Sequence, residues 1–267
     1  MSFIVNLLVN LFNFLYLKIF STKVFSKFNN IILMAAIKAY GYDNYQNNTV
    51  SGESFFITSV LKPHHPKLII DIGGNVGNYS EILLKNTSAN VILFEPLDFV
   101  LEKAKDNLSS FDNRIEFINM GVGSAIEQTT INFNENATAH ASFSSKVNKI
   151  NYLNNNQSLT VDVTTLDKFC SDREIKHIDF IKIDTEGFEE QVLLGAQNII
   201  SQAKPKFIQL ENNWHQLFVG SSIYKFSQLL PNYVPYILTN NNWKKVDPLN
   251  PLSNLYLFSN FIFVRED

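Results

Sequence analysis

Cysteine is almost missing: Cys170 is the single one in 267 residues. That excludes an internal disulfide and a zinc site built on several thiolates, and makes a reducing cytosol the plain expectation for compartment. An excess of positive charge is missing too. Lys and Arg number 22 against 25 Asp and Glu, a formal net charge of −3. With no basic stripe, nucleic acid is not expected as a partner. A full bilayer-spanning apolar run is also wanting. Ser2–Phe20 comes nearest, but Asn6, Asn10 and Asn13 interrupt it and Lys18 ends it. The first positive charge follows the apolar stretch and no small-residue cleavage site comes after it, which argues against a signal peptide. Glycine is scarce, ten in all, so the places where it clusters carry information.

Apolar residues make up 45% of the chain, enough for a sizeable core and against disorder. In the N-terminal stretch the asparagines recur at helical spacing, so an amphipathic helix is expected. Its partner stays open: the domain itself, a second subunit in a homo-oligomer, a membrane surface met through residues 2–28, or a bilayer in which the helix anchors. At a membrane surface Lys18, Lys23 and Lys27 would lie near anionic lipid. Residues 30–40 continue as helix to Gly41, residues 42–51 form an Asn-rich loop, and residues 52–61 return to helix.

The glycines gather after Leu68–Ile72, a short apolar run that reads as a buried parallel strand. The stretch is LIIDIGGNVGNY. Glycines there let the backbone turn tightly and approach a ligand. The dinucleotide fingerprint G-x-G-x-x-G is not met, because Asn75 stands at its second glycine. The order is instead D-x-G-x-x-x-G, from Asp71 through Gly73 and Gly74 to Gly77. A second apolar run, Val91–Phe94, ends in Glu95, where an acid commonly holds ribose hydroxyls. That acid disfavours a 2′-phosphate but does not by itself separate NAD from S-adenosylmethionine.

The third segment is DFIKIDTEGFEEQVLLG, residues 179–195, a strand ending at Asp184 followed by a helix expected to run to about Ser201. Taken with SGE at residues 51–53, TTLD at 164–167 and FIQLE at 207–211, in this order and spacing, the chain resembles the FkbM family of methyltransferases from about Gly41 to Asn213. The resemblance implies S-adenosylmethionine as cofactor and methyl transfer to a hydroxyl group of a small-molecule or glycan acceptor. It also implies an α/β fold: a class I methyltransferase Rossmann-like sheet of seven strands in the order 3-2-1-4-5-7-6, last strand antiparallel, with N-terminal helices and a small inserted β-hairpin. The expected division is a helical extension over residues 1–62 and a methyltransferase domain over residues 63–267. Asp71, Gly73, Gly74, Asn75, Gly77 and Glu95 are the expected cofactor contacts. Gly121 and Val122, at the end of a third strand over residues 115–122, would let an adenine lie against backbone.

For the acceptor, Asp184 and the Glu211–Asn212 pair are expected at the carboxyl ends of neighbouring strands, where α/β sites form. A hydroxyl is a poor nucleophile at neutral pH, so a base or a metal should assist. Asp184, Glu211 and His140 are the candidate catalytic residues. His140 sits in a long loop between two alternating segments, read as a lid over the pocket. Asp184, Glu211 and Asn212 could together hold Mg²⁺, an arrangement that resembles metal-dependent catechol-type O-methyltransferases. Two other readings stay open. An NAD-dependent sugar-modifying enzyme would share the first two motifs, though no Tyr-x-x-x-Lys pair supports it. A non-catalytic scaffold on the same fold is the other. A methyltransferase acting on nucleic-acid bases would carry an Asn/Asp-Pro-Pro-aromatic motif, and there is none.

Overall fold

The computed structural model describes residues 3–150 and 153–266; Ser2, within the N-terminal stretch, lies outside them. The chain opens with two helices, α1 (Phe3–Phe20) and α2 (Ser26–Ala39). A short α3 (Glu53–Phe55) passes into a π-helical turn, Phe56–Leu61. Strands and helices then alternate: β1 (Leu68–Ile72), α4 (Asn78–Asn86), β2 (Asn90–Phe94), α5 (Asp98–Leu108) and β3 (Ile115–Ile118). Three strands of a second sheet follow: β4 (Gly121–Val122), β5 (Glu127–Phe133) and β6 (Gln157–Thr164). The alternation resumes with α6 (Leu166–Asp172), β7 (Phe180–Ile183), α7 (Glu189–Leu194), α8 (Gln197–Ala203) and β8 (Phe207–Asn212). The chain closes with α9 (Trp214–Val219), α10 (Ile223–Leu229), β9 (Tyr233–Thr239), β10 (Asn242–Lys245) and β11 (Ser259–Arg265).

The main sheet has the order β3-β2-β1-β7-β8-β11-β9-β10. β11 runs antiparallel to both β8 and β9. The expected order is present from β3 to β9, with the antiparallel strand where expected, but the sheet has eight strands rather than seven. The extra one is β10, Asn-Trp-Lys-Lys, paired with β9 at the edge. Its charged, mostly exposed side chains blunt that edge.

Alternation along the parallel strands divides the core in two. Ile70, Ile72, Ile92, Phe94, Ile181 and Ile183 face one side, with residues of α6, α7 and α8. Ile69, Val91, Leu93 and Phe180 face the other, with α4, α5 and the π-helical turn. Tyr42, Phe56, Ile57 and Leu61 are buried in these same cores.

Two expected elements are broken in the structure. The third strand stops at Ile118 and the chain turns. Asn119 donates to the carbonyls of Glu95 and Pro96, and Gly121–Val122 leaves the main sheet to pair with β6. The inserted hairpin is thereby a three-stranded sheet, β4-β6-β5. The helix expected from Asp184 to about Ser201 is two helices. It breaks at Gly195, where a Cβ would fall 1.9 Å from the Gly123 carbonyl oxygen.

Candidate active site

Strand register builds the site. Ile72 of β1 pairs with Phe94 of β2 and with Ile183 of β7, and Ile183 pairs with Leu210 of β8. The next residue on each strand is Glu95, Gly73, Asp184 and Glu211. Four neighbouring parallel strands thus end in three acids and one glycine, at the edge where α/β sheets bind ligands. Gly73 is obligatory there. Its φ is +79°, and a Cβ would fall 1.9 Å from the Asp184 carbonyl oxygen. Beyond this row lies a cavity of about 760 Å³, whose lining includes Gly73, Asn75, Glu95, Gly121 and Val122 as well as Asp184, Glu211 and His140.

At one end Glu95 is 6% exposed. Its Oε2 accepts the Asn75 N–H at 3.0 Å and its Oε1 the Leu97 N–H at 3.0 Å. Burial pushes its carboxyl up to about 7, against the pull of those two amides. Gly74, Gly77 and Asp71 do not line the cavity. A Cβ at Gly74 would strike the Leu93 side chain, and one at Gly77 the Leu108 side chain, so both serve close packing of the loop. Asp71 is fully buried behind it, accepting from Ser80 Oγ at 2.7 Å and lying 3.8 Å from Lys182 Nζ.

Lys182 was not singled out in the sequence, yet it organises the underside of the site. It shares a face of β7 with Phe180, lies opposite Asp71, is 4% exposed, and donates to Asp184 Oδ2 at 2.8 Å. Burial would discharge it, but Asp184, Asp71 and Glu53 outweigh that and raise its pKa, so it stays a cation. Glu53 belongs to the same buried network. It accepts from Ser51 and Gln209, and Gln209 accepts from Tyr79.

At the other end is an acid–histidine cluster. Glu186 sits in left-handed backbone, φ +52°, followed by Gly187 at φ +97°. Glu189 ties this loop down by accepting from the amides of Thr185 and Gly187, and from Gln216. Asn213 caps α9 and donates to Glu211 at 2.6 Å and Glu186 at 3.0 Å. The cap places His215 in the first turn. Its ring is 1% exposed and its Nδ1 lies 2.6 Å from Glu186 Oε2, off the axis of a well-formed hydrogen bond; its Nε2 has no hydrogen-bond partner among the described residues. His140 Nδ1, on the lid, is 3.7 Å from the other oxygen of Glu186. Burial pushes Glu186 upward, but the two histidines outweigh it and hold the carboxyl down at about 2. In return Glu186 raises the pKa of His140. Burial and the neighbouring charges of Asp184 and Glu186 lift Glu211 well above the usual carboxylate range.

The lid reading has a structural counterpart. Thr138, His140 and Phe143 line the cavity, Thr138 Oγ1 donates to Asn75 Oδ1 at 3.3 Å, and Ser142 donates to the Glu186 carbonyl at 2.7 Å. One ligand of the metal reading is corrected. Successive residues of β8 face opposite ways, so Asn212 turns from the cavity and donates to the Leu255 carbonyl; Asn213 points in instead. Oxygens of Asp184, Glu186 and Glu211 lie within 4.8 Å of one another. Lys182 already neutralises Asp184, and His215 and Asn213 occupy Glu186 and Glu211. Each carboxylate thus already has a protein partner on one oxygen, which weighs against Mg²⁺ there.

A doubly covered α/β sheet with β11 antiparallel to its neighbours, a glycine cradle that a Cβ would fill and an acid at the end of β2 define a class I S-adenosylmethionine-dependent methyltransferase. The Methyltransferase FkbM domain matches residues 71–235. That is more than half of the chain, which therefore belongs to the FkbM methyltransferase family. The 2-O-methyltransferase NoeI of Sinorhizobium fredii (strain NBRC 101917 / NGR234) is 25% identical over 193 residues, 66% of this chain and 76% of that protein. Among solved structures, spermidine synthase from Thermotoga maritima aligns with TM-score 0.44 and 15% identity, over 83% of this chain but only 61% of its own length. The O-methyltransferase from Bacillus cereus in complex with SAH aligns with TM-score 0.45 and 11% identity, over 94% of this chain and 95% of that one.

Proposed function

We propose that the protein transfers the methyl group of S-adenosylmethionine to a hydroxyl of a carbohydrate or related polyol. One observation carries this reading. A single cavity has a ribose-type acceptor at one end, Glu95 on its two amides, and an acid–histidine cluster at the other. A polyol suits such a cluster because Asp184 and Glu211 can accept from neighbouring hydroxyls and fix their orientation. The likeness to a 2-O-methyltransferase supports the same acceptor chemistry.

Bound in the cradle, S-adenosylmethionine supplies an electrophilic methyl group on sulfonium sulfur. The chain's own residues do the rest. Glu95 holds the ribose hydroxyls, Gly73 admits the ligand against backbone, and Phe143 and Thr138 of the lid exclude water. The acceptor oxygen must lose its proton as the new C–O bond forms. Two imidazoles share Glu186, and His215 takes the proton: its ring lines the cavity, and its Nε2 has no partner among the described residues. Glu186 orients it and stabilises the imidazolium, as the carboxylate of a catalytic triad does. His140 closes the lid over the same carboxylate. Burial pushes the Asp184 carboxyl up, and Lys182 opposes that push while holding Oδ2, so that the other oxygen can accept from the acceptor.

Calorimetry of S-adenosylmethionine, S-adenosylhomocysteine and NAD, followed by transfer of a labelled methyl group to a panel of methyl glycosides, tests the reading. Micromolar binding of the first two ligands with labelled glycoside as product is expected. Binding of NAD alone would overturn it.

A further inference from the structure

Apart from Ile37, which packs partly buried against the first core near the end of α2, the two N-terminal helices lie outside both cores and the site. α1 carries no acidic residue, and Leu7, Leu8, Leu11, Phe12 and Leu15 are between 48% and 64% exposed along it. These five face away from the Asn6, Asn10 and Asn13 stripe and form a broad apolar arc. α2 adds Phe28, Ile31, Ile32 and Leu33, also exposed. A face of this size on a folded chain marks a contact with something else.

The bend between the helices is built rather than frayed. They cross at 98°. Phe20 packs on Tyr16 at 4.9 Å and on Phe25 at 4.8 Å between ring centroids. Tyr16 donates to Asn29 Oδ1 at 2.5 Å, and Asn29 donates to the Phe20 carbonyl at 2.8 Å. The elbow is thus a unit with a fixed shape, and its outer surface is apolar.

Charge selects the occupant. Residues 1–42 hold Lys18, Lys23, Lys27 and Lys38 and no acid; Asp43 is the first. Lys18, Lys23 and Lys27 are all exposed around the elbow. A second copy of this chain would bring like charges together with no acid in the segment to offset them. An anionic lipid surface satisfies both properties at once, taking the apolar arc into its acyl boundary and the lysines at its headgroups. No single helix among the described residues is long and apolar enough to cross a membrane; α1 and α2 pass that test only together, as a pair bent by 98°, and the contacts of Phe20, Tyr16 and Asn29 hold that bend. We infer that the α1–α2 elbow docks this enzyme onto the surface of an anionic bilayer, lying in the interface rather than spanning it. The elbow is joined directly to the site: the chain leaving α2 reaches Asp43 and Tyr45, both on the cavity wall.

Co-sedimentation of the full chain with phosphatidylcholine vesicles, with and without phosphatidylglycerol, tests this. Two variants accompany the wild type, one with Leu8→Glu, Leu11→Glu and Leu15→Glu, the other with Lys18→Glu, Lys23→Glu and Lys27→Glu. No core residue is touched, so both should keep the wild-type circular dichroism and cofactor affinity. The wild type should pellet with anionic vesicles, and either variant should lose about a hundredfold in partition coefficient. Wild type that stays in the supernatant would overturn the inference. So would equal binding to neutral and anionic vesicles, or a wild-type dimer that the leucine variant dissociates without any vesicle binding. None of these outcomes depends on methyl transfer.

Discussion

Glu95 shows how a single buried carboxylate couples cofactor binding to pH. Its carboxyl ionises near 7 because burial outweighs its two amide donors. Ribose hydroxyls donate best to the ionised form, so cofactor binding below pH 7 must release a proton. Affinity for S-adenosylhomocysteine should therefore fall about tenfold from pH 8 to pH 6. Glu95→Gln should bind about 1–3 kcal/mol more weakly at pH 8 and show a flat profile. An unchanged pH profile in the variant would remove Glu95 from the ribose site. Glu186 works with the opposite sign. Its folded pKa of about 2 lies below the unfolded value, so its stabilising share is present above about pH 4.5 and fades as pH falls toward 2. His140 is raised, so its share is present at acid pH and is lost as pH climbs through its folded pKa. The two overlap between about pH 5 and 6.5. There Glu186→Gln should cost roughly 1–3 kcal/mol in urea unfolding, discounted because His140 is half exposed. In catalysis His215→Asn should lower kcat by about 10²–10⁴-fold with cofactor affinity intact, whereas a base at His140 would leave the His215 variant active. Activity should persist in EDTA, since Lys182 already holds the charge a cation would supply; loss of activity restored by Mg²⁺ would reverse that conclusion.

At the scale of elements, the glycine loop is where local geometry decides most. Gly73 combines φ +79° with a Cβ position inside the Asp184 carbonyl. Gly73→Ala should destabilise the fold by ~3 kcal/mol or more through backbone strain and forced separation of β1 from β7. Thermal unfolding would measure this, and a loss under 1 kcal/mol would show that the loop yields easily. The parallel strands were legible because each is a short apolar run ending in a chemically distinct residue, Asp184 or Glu95. What escaped was polar or depended on distant contacts. β10 has two lysines in four residues and no alternation to announce it. The break after β3 depends on Asn119 reaching the carbonyls of Glu95 and Pro96, and the break at Gly195 on the Gly123 backbone. The choice of Asn212 over Asn213 was avoidable. Counting by twos from Glu211 puts Asn213 on its side of the strand. His215 had a signal as well, since Asn213 followed by Gln216 is a capping-box pattern that fixes the first turn of α9.

For the molecule as a whole, the burial pattern divides the chain sharply. The sheet and its helices form two continuous cores into which Tyr42, Phe56, Ile57 and Leu61 are built. Neither α1 nor α2 contributes a fully buried residue among those described; Ile37, near the end of α2, packs against the first core only partly buried. Such a segment neither stabilises the domain nor depends on it. Deleting residues 1–25 removes α1 and the elbow but leaves Ile37 and Tyr42 in place. The shortened chain should unfold within about 1 kcal/mol of the full one, because burial and not chain length sets the hydrophobic term. It should also bind S-adenosylhomocysteine with the same affinity, since the cavity draws its first lining residue from Asp43 onward. Equilibrium unfolding in urea with and without the ligand reads both quantities. A loss above about 3 kcal/mol would mean that the elbow folds back onto the domain in solution. Equal stability with equal affinity would leave α1 with work to do only outside the domain, where its leucines and the elbow lysines meet a surface the chain does not itself provide.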